Sequence, residues 1–133
     1  MPLSSDLRQR LGERGERLAA EHLVRRGYRI LERNYRTRWG ELDIVAFDGC
    51  TLAFCEVKTR RAGAGDGREQ AVVVGPFEAI HPSKRRRVRN MAQSWLSERT
   101  DRPYASMLRF DAIAVTLDRR GELISIEHLE SAF

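Results

Sequence analysis

The alternation of apolar and polar residues changes period several times along the chain, and each change marks an element. Over residues 6–26 the apolar positions recur at helical spacing, with Ala19, Ala20, Leu23 and Val24 in one sector. Gly27 supplies the left-handed residue that closes such a helix. Residues 28–36 read as a strand, with Tyr28, Ile30 and Leu31 as its apolar content. Residues 41–47 and 51–58 are two β-rich runs joined by Asp48-Gly49, a dipeptide that favours a tight hairpin. Residues 59–75 are rich in Arg and Gly and keep no steady period before Val72, which predicts a mobile loop. Pro82-Ser83 opens a second helix reaching about Arg99, with Ser83 as its cap. Its apolar stripe is Val88, Met91, Ala92, Trp95 and Leu96. Residues 109–117 and 122–128, joined through Arg120-Gly121, form another hairpin. The order α-β-β-β-α-β-β predicts an α/β fold, a mixed sheet with helices packed on it.

The 133 residues are 41% hydrophobic and 32% charged, which fits one domain over residues 1–133 with a core of its own. No run of about 18 apolar residues is present, and residues 1–12 are polar, so neither a membrane span nor a secretion signal is expected. Cys50 and Cys55 fall on opposite faces of one strand, which argues for free thiols and a cytoplasmic setting. The net charge of +5 and the pI near 9.9 make polyanions plausible partners. Of the 24 basic residues only Lys58 and Lys84 are lysine, a compact ammonium where the rest of the chain uses a planar fork.

Several charged residues occupy positions where alternation expects burial. A two-residue turn at Asp48-Gly49 pairs Phe47 with Cys50, sets Asp43 opposite Phe54 and Glu41 opposite Glu56, and puts these side chains and Lys58 on one face. Facing carboxylates repel, so Glu41, Asp43 and Glu56 require cations. Lys58 supplies one charge, and Mg²⁺ or Mn²⁺, which favour hard oxygen donors, can supply the rest. The alternative is an exposed face whose acids pair with arginines. Glu16 falls near the middle of the first helix's apolar sector, aimed at the core unless it bends outward to Arg10 or Arg17. At the second helix Lys84 projects from the inward stripe, with Arg85, Arg86 and Arg87 around it. This is either a phosphate-binding helix start or a solvated basic face. Trp95 reads as core, Tyr35 and Trp39 as core or base-stacking groups. Residues 63–67 are glycine-rich but lack the context of a nucleotide loop, so no nucleotide cofactor is expected. The histidines and cysteines lack zinc-site spacing. Asp111 is expected to pair with Arg109.

The stretch Gly40-Glu41-Leu42-Asp43 followed by Phe54-Cys55-Glu56-Val57-Lys58 resembles the core of the restriction-endonuclease-like nucleases, an Asp followed on the next strand by Glu-x-Lys. The whole chain resembles the bacterial YraN-type family of predicted endonuclease-like proteins. The likeness runs through Gly12-Glu13-Arg14-Gly15-Glu16, Arg33-Asn34-Tyr35-Arg36, Lys84, Arg109-Phe110-Asp111 and Ala132-Phe133. The resemblance implies a restriction-endonuclease-like mixed sheet and metal-dependent hydrolysis of phosphodiester bonds in DNA, branched DNA included. It also implies a homodimer like that of the related archaeal Holliday-junction resolvases. By the same resemblance Asp43 and Glu56 are metal ligands and Lys58 is the catalytic lysine. Glu16 completes the site from the helix, and Glu41 and Lys84 occupy matching positions of less defined role. The alternative function is a non-catalytic nucleic-acid-binding or scaffold module on the same fold.

Overall fold

A computed structural model describes residues 5–62 and 82–133. The elements are α1 (Ser5–Arg25), β1 (Arg29–Thr37), β2 (Gly40–Phe47), β3 (Thr51–Arg61), α2 (Pro82–Glu98), β4 (Met107–Leu117) and β5 (Leu123–Leu129). The predicted α/β order is therefore present. Among the described residues five strands form one open sheet in the order β1-β2-β3-β4-β5. Among the described strands only β3 and β4 run parallel, because the connection between them carries α2, whereas the other neighbours are antiparallel. Gly27 closes α1 at φ 94°, as expected.

The pleat sends alternate side chains to two cores. Ala19 and Leu23 of α1 pack with Ile44, Ala46, Cys55, Ile113 and Val115 on one face. Val88, Met91 and Trp95 of α2 pack with Val45, Leu52 and Phe54 on the other. Trp95 is thus core, and its indole Nε1 donates to Glu32 Oε1 at 3.0 Å. Tyr35 is also buried, with its hydroxyl bound to Ser94 and Glu98. Cys50 is exposed and Cys55 buried, both free thiols.

Two expectations change. Residues 59–61 continue β3, paired to β4 as far as Arg61↔Leu117. Ala62 follows, its amide donating to the Leu117 carbonyl at 2.7 Å, and residues 63–75, with the glycine-rich stretch, lie outside the described residues. The β2–β3 register also differs, since Phe47 pairs with Leu52, Ala46 with Ala53 and Val45 with Phe54. The cause is Asp48, whose Oδ1 accepts the amides of Cys50 (2.9 Å) and Thr51 (2.7 Å). The reversal therefore centres on Gly49-Cys50, with Gly49 at φ 101° where a side chain is disfavoured. The strands slide by two residues, so the facing pairs change but the pleat does not.

Candidate functional site

A local break in the pleat builds the site. Leu42 and Val45 both pack on the α2 side, although three residues apart they should point oppositely in a regular strand. The β2–β3 pairing ends at Ile44↔Cys55, and beyond it the amide of Val57 donates to Asp43 Oδ2 at 2.7 Å. On the other neighbour, Asn34 of β1 has φ 56°, a left-handed conformation that asparagine tolerates better than most residues. The irregularity leaves Glu41 and Asp43 facing Glu16 of α1. Ligand oxygens of Glu16, Glu41 and Asp43 lie within 4.8 Å of one another.

The helix reaches this close because Gly15 has no side chain. A Cβ at Gly15 would sit 1.8 Å from Thr59 Oγ1. The Gly15-Glu16 pair therefore brings the helix backbone against β3 and extends a carboxylate over β2. With its amide nitrogen turned to the acids, Asn34 donates to Glu16 Oε1 at 2.7 Å and to Glu41 Oε1 at 3.2 Å. Arg36 Nε donates to the other Glu41 oxygen at 3.1 Å. In the sequence Asn34 stands out only as part of a resembling stretch. Its signal as a site residue, an asparagine within a strand, became legible only with its backbone conformation.

The electrostatics follow from burial and crowding. Asp43 is raised from 3.8 to about 7, first by burial and then by the charges of Glu16, Glu41 and Glu56, with the Val57 amide opposing. Glu16 is raised too, first by burial and then by Glu41, with Arg33 opposing. Glu16 is thus turned inward, and the outward alternative toward Arg10 or Arg17 is not realised; Arg10 pairs with Asp6 instead.

Glu56, expected in the metal set with Asp43 and Glu16, is held differently. Its Oε2 lies 3.0 Å from Lys84 Nζ and its Oε1 3.6 Å from Lys58 Nζ. It lies outside the Glu16–Glu41–Asp43 group, and Glu41, expected only to support the site, is inside it. The single shared face fails for these acids because the pleat break turns β2 relative to β3. Lys84 projects inward as expected, but toward Glu56 and over the Phe133 ring at 5.6 Å. Arg85, Arg86 and Arg87 are exposed on the first turns of α2, and Arg87 lines a cavity together with Glu41 and Glu56.

The oxygen donors and their spacing suit a hard divalent cation, whose ligand oxygens lie about 3 to 4 Å apart in an octahedral shell. The residue types therefore fit Mg²⁺ or Mn²⁺. Burial and mutual repulsion leave the group short of positive charge, which a bound cation would supply.

Fold and site together define an open α/β domain that gathers carboxylates between a helix and a broken strand pairing. Residues 15–115 match the sequence model described as uncharacterised protein family UPF0102. The chain is 44% identical to a UPF0102 protein of Acidothermus cellulolyticus over 98% of both chains. It is 46% identical to one from Parafrankia sp., over 94% of this chain and 97% of that one. With a relative in Trichlorobacter lovleyi it shares 43% identity over 100% and 97% of the two chains. The protein belongs to the UPF0102 family, the YraN family. No described helix is long and apolar enough to cross a membrane.

Proposed function

We propose that the protein is an endonuclease that hydrolyses phosphodiester bonds in DNA with Mg²⁺ or Mn²⁺ as cofactor, branched or structured DNA being the substrate its resemblance implies. The observation that carries this reading is the convergence of Glu16, Glu41 and Asp43, crowded enough to hold Asp43 near 7. Asp43 and Glu16 would hold the cation, with Glu41 as third donor and Glu56 joining once Lys84 turns to a phosphate. When bound, such a cation neutralises phosphoryl charge and makes water a better nucleophile. Asp43 gives up its proton as a cation arrives, so its affinity for metal rises with pH. Lys58, 47% exposed and with its Nζ beside Glu56, is free to swing to a phosphoryl oxygen and stabilise the charge growing there. Arg85, Arg86 and Arg87 hold the strand's other phosphates.

Incubating the protein with branched and linear DNA, with and without Mg²⁺ or Mn²⁺, tests the reading. Metal-dependent cleavage is expected, falling at least about 100-fold in Asp43→Asn. Cleavage that ignores metal, or survives this substitution unchanged, refutes it.

One observation favours the second reading, a non-catalytic nucleic-acid-binding module. Glu56 is already neutralised by two lysines. That reading predicts salt-sensitive DNA binding without products, weakened by Arg86→Ala and unaffected by Asp43→Ala.

A further inference from the structure

The carboxylate group stands between two hollows of different character. On the α1 side a broad hollow of about 430 Å³ is lined by Glu16, Lys58, Arg8, Arg60 and Arg61 among others. On the α2 side a smaller cavity of about 140 Å³ is walled by Trp39, Leu42, Phe54, Val88 and Met91. Its charged lining sets Glu41 and Glu56 against Lys84 and Arg87. The first hollow has the breadth and the cations for a sugar–phosphate backbone. The second has aromatic and aliphatic walls, which suit a planar ring.

The Trp39 wall is built in advance. Thr37 Oγ1 accepts the amide of Trp39 at 3.0 Å and donates to the Gly40 carbonyl at 3.0 Å, which closes the β1–β2 turn. The Arg38 guanidinium lies 4.5 Å from the indole centroid. Gly40, at φ 137°, brings the turn near α2, where a Cβ would stand 3.6 Å from Met91 Sδ.

We propose that the α2-side cavity receives one unpaired pyrimidine base of a DNA strand whose backbone crosses the carboxylate group. This rests on the phosphodiester reading and names the substrate feature that the same site selects. Size sets the choice of base, because a cavity of about 150 Å³ admits a benzene ring, so one of this volume takes a single six-membered ring. A purine carries a second fused ring, which exceeds a volume of about 140 Å³ and would stand out at the mouth of the cavity. Charge sets the orientation. A Glu56 oxygen accepts from an exocyclic amino or ring N–H group, while Arg87 donates to a ring carbonyl. Unpairing is required, since a base within a duplex cannot leave the stack to reach such a cavity without cost.

Fluorescence anisotropy in EDTA, where no metal-dependent cleavage occurs, tests the proposal. The probes are labelled forked duplexes with one unpaired dC, dT, dA or abasic residue at the branch. The dC and dT forks are expected to bind at least about fivefold more tightly than the dA and abasic forks. Trp39→Ala, which removes a wall, and Val88→Phe, which fills the cavity, should each shrink that difference below about twofold while leaving the abasic fork's affinity within about twofold. Equal binding of the dA or abasic fork, discrimination retained by both variants, or no binding to any fork overturns the proposal. Metal-dependent cleavage without base discrimination would leave the nuclease reading intact. Discrimination without cleavage would do the reverse.

Discussion

Asp43 on β2 and Asp111 on β4 are both carboxylates taken into the same sheet, and the chain surrounds them in opposite ways. Asp111 is fully buried, and its oxygens accept from Arg109 Nε (2.9 and 3.1 Å), Arg109 Nη2 (2.8 Å), His128 Nε2 (2.8 Å) and the Ser131 amide (3.1 Å). Burial pushes it up, but the bonds from His128, Arg109 and Ser131 outweigh that and hold it below the usual carboxylate range. Among the described residues Asp43 has one backbone amide as donor and three carboxylates as neighbours, and it ends near 7. One aspartate is satisfied by the fold and ties β5 and the C-terminal residues to the sheet. The other is left short of positive charge, and unmet charge of that kind marks a place for a ligand rather than a structural tie.

The strongest way to break the comparison is Arg109→Ala, which strands Asp111 without its main partner. A loss of about 3–5 kcal/mol is expected in urea denaturation, as for other buried pairs broken on one side. Gly15→Ala should cost about 1–3 kcal/mol because Thr59 must move to admit the methyl group, and by displacing α1 it should take Glu16 away from Asp43. The same variant should lose most of the thermal shift produced by Mn²⁺, while the Asp111 cluster is undisturbed.

Asp43→Asn sharpens the contrast in the other direction. It removes an unwanted charge and retains an oxygen for the Val57 amide, so metal-free protein at pH 8 should gain about 1–2 kcal/mol and lose its Mn²⁺-dependent shift in Tm. The pH dependence separates the two aspartates by sign. Asp43 is raised, so its neutral form favours folding, and stability erodes as pH climbs from about 4 through about 7. Asp111 is depressed, so its contribution is present above the ordinary carboxylate range and lost as pH falls through its lower folded value. Thermal melts with EDTA in the wild type and Asp43→Asn should therefore converge near pH 4 and separate as pH climbs through about 7. Arg36→Ala gives the smallest effect, within about 0.5 kcal/mol of zero, since its pair with Glu41 is largely in water.

Much of this contrast is legible in the sequence. The Arg109–Asp111 pair follows from two residues on one side of a strand, and Glu16, Glu41 and Asp43 all stood out as charges at positions suited to burial. Glu56 did so as well, with Lys58 as a local partner, yet its nearer partner is Lys84 on a helix distant in sequence, a pairing that no spacing rule could supply. Asn34 was invisible as a site residue because nothing in a strand-like run announces a left-handed backbone.

The sequence by itself determined the kind, order and approximate limits of the elements, since periodicity, capping and turn chemistry act within a few residues. It also nominated the acids, because a charge on an apolar face is a local anomaly. Only the tertiary structure decided which acids meet. The pleat break turned Asp43 toward α1, and a bare Gly15 let the helix approach. Each is a contact between segments, settled when the packed chain balances close approach against the desolvation of its charges.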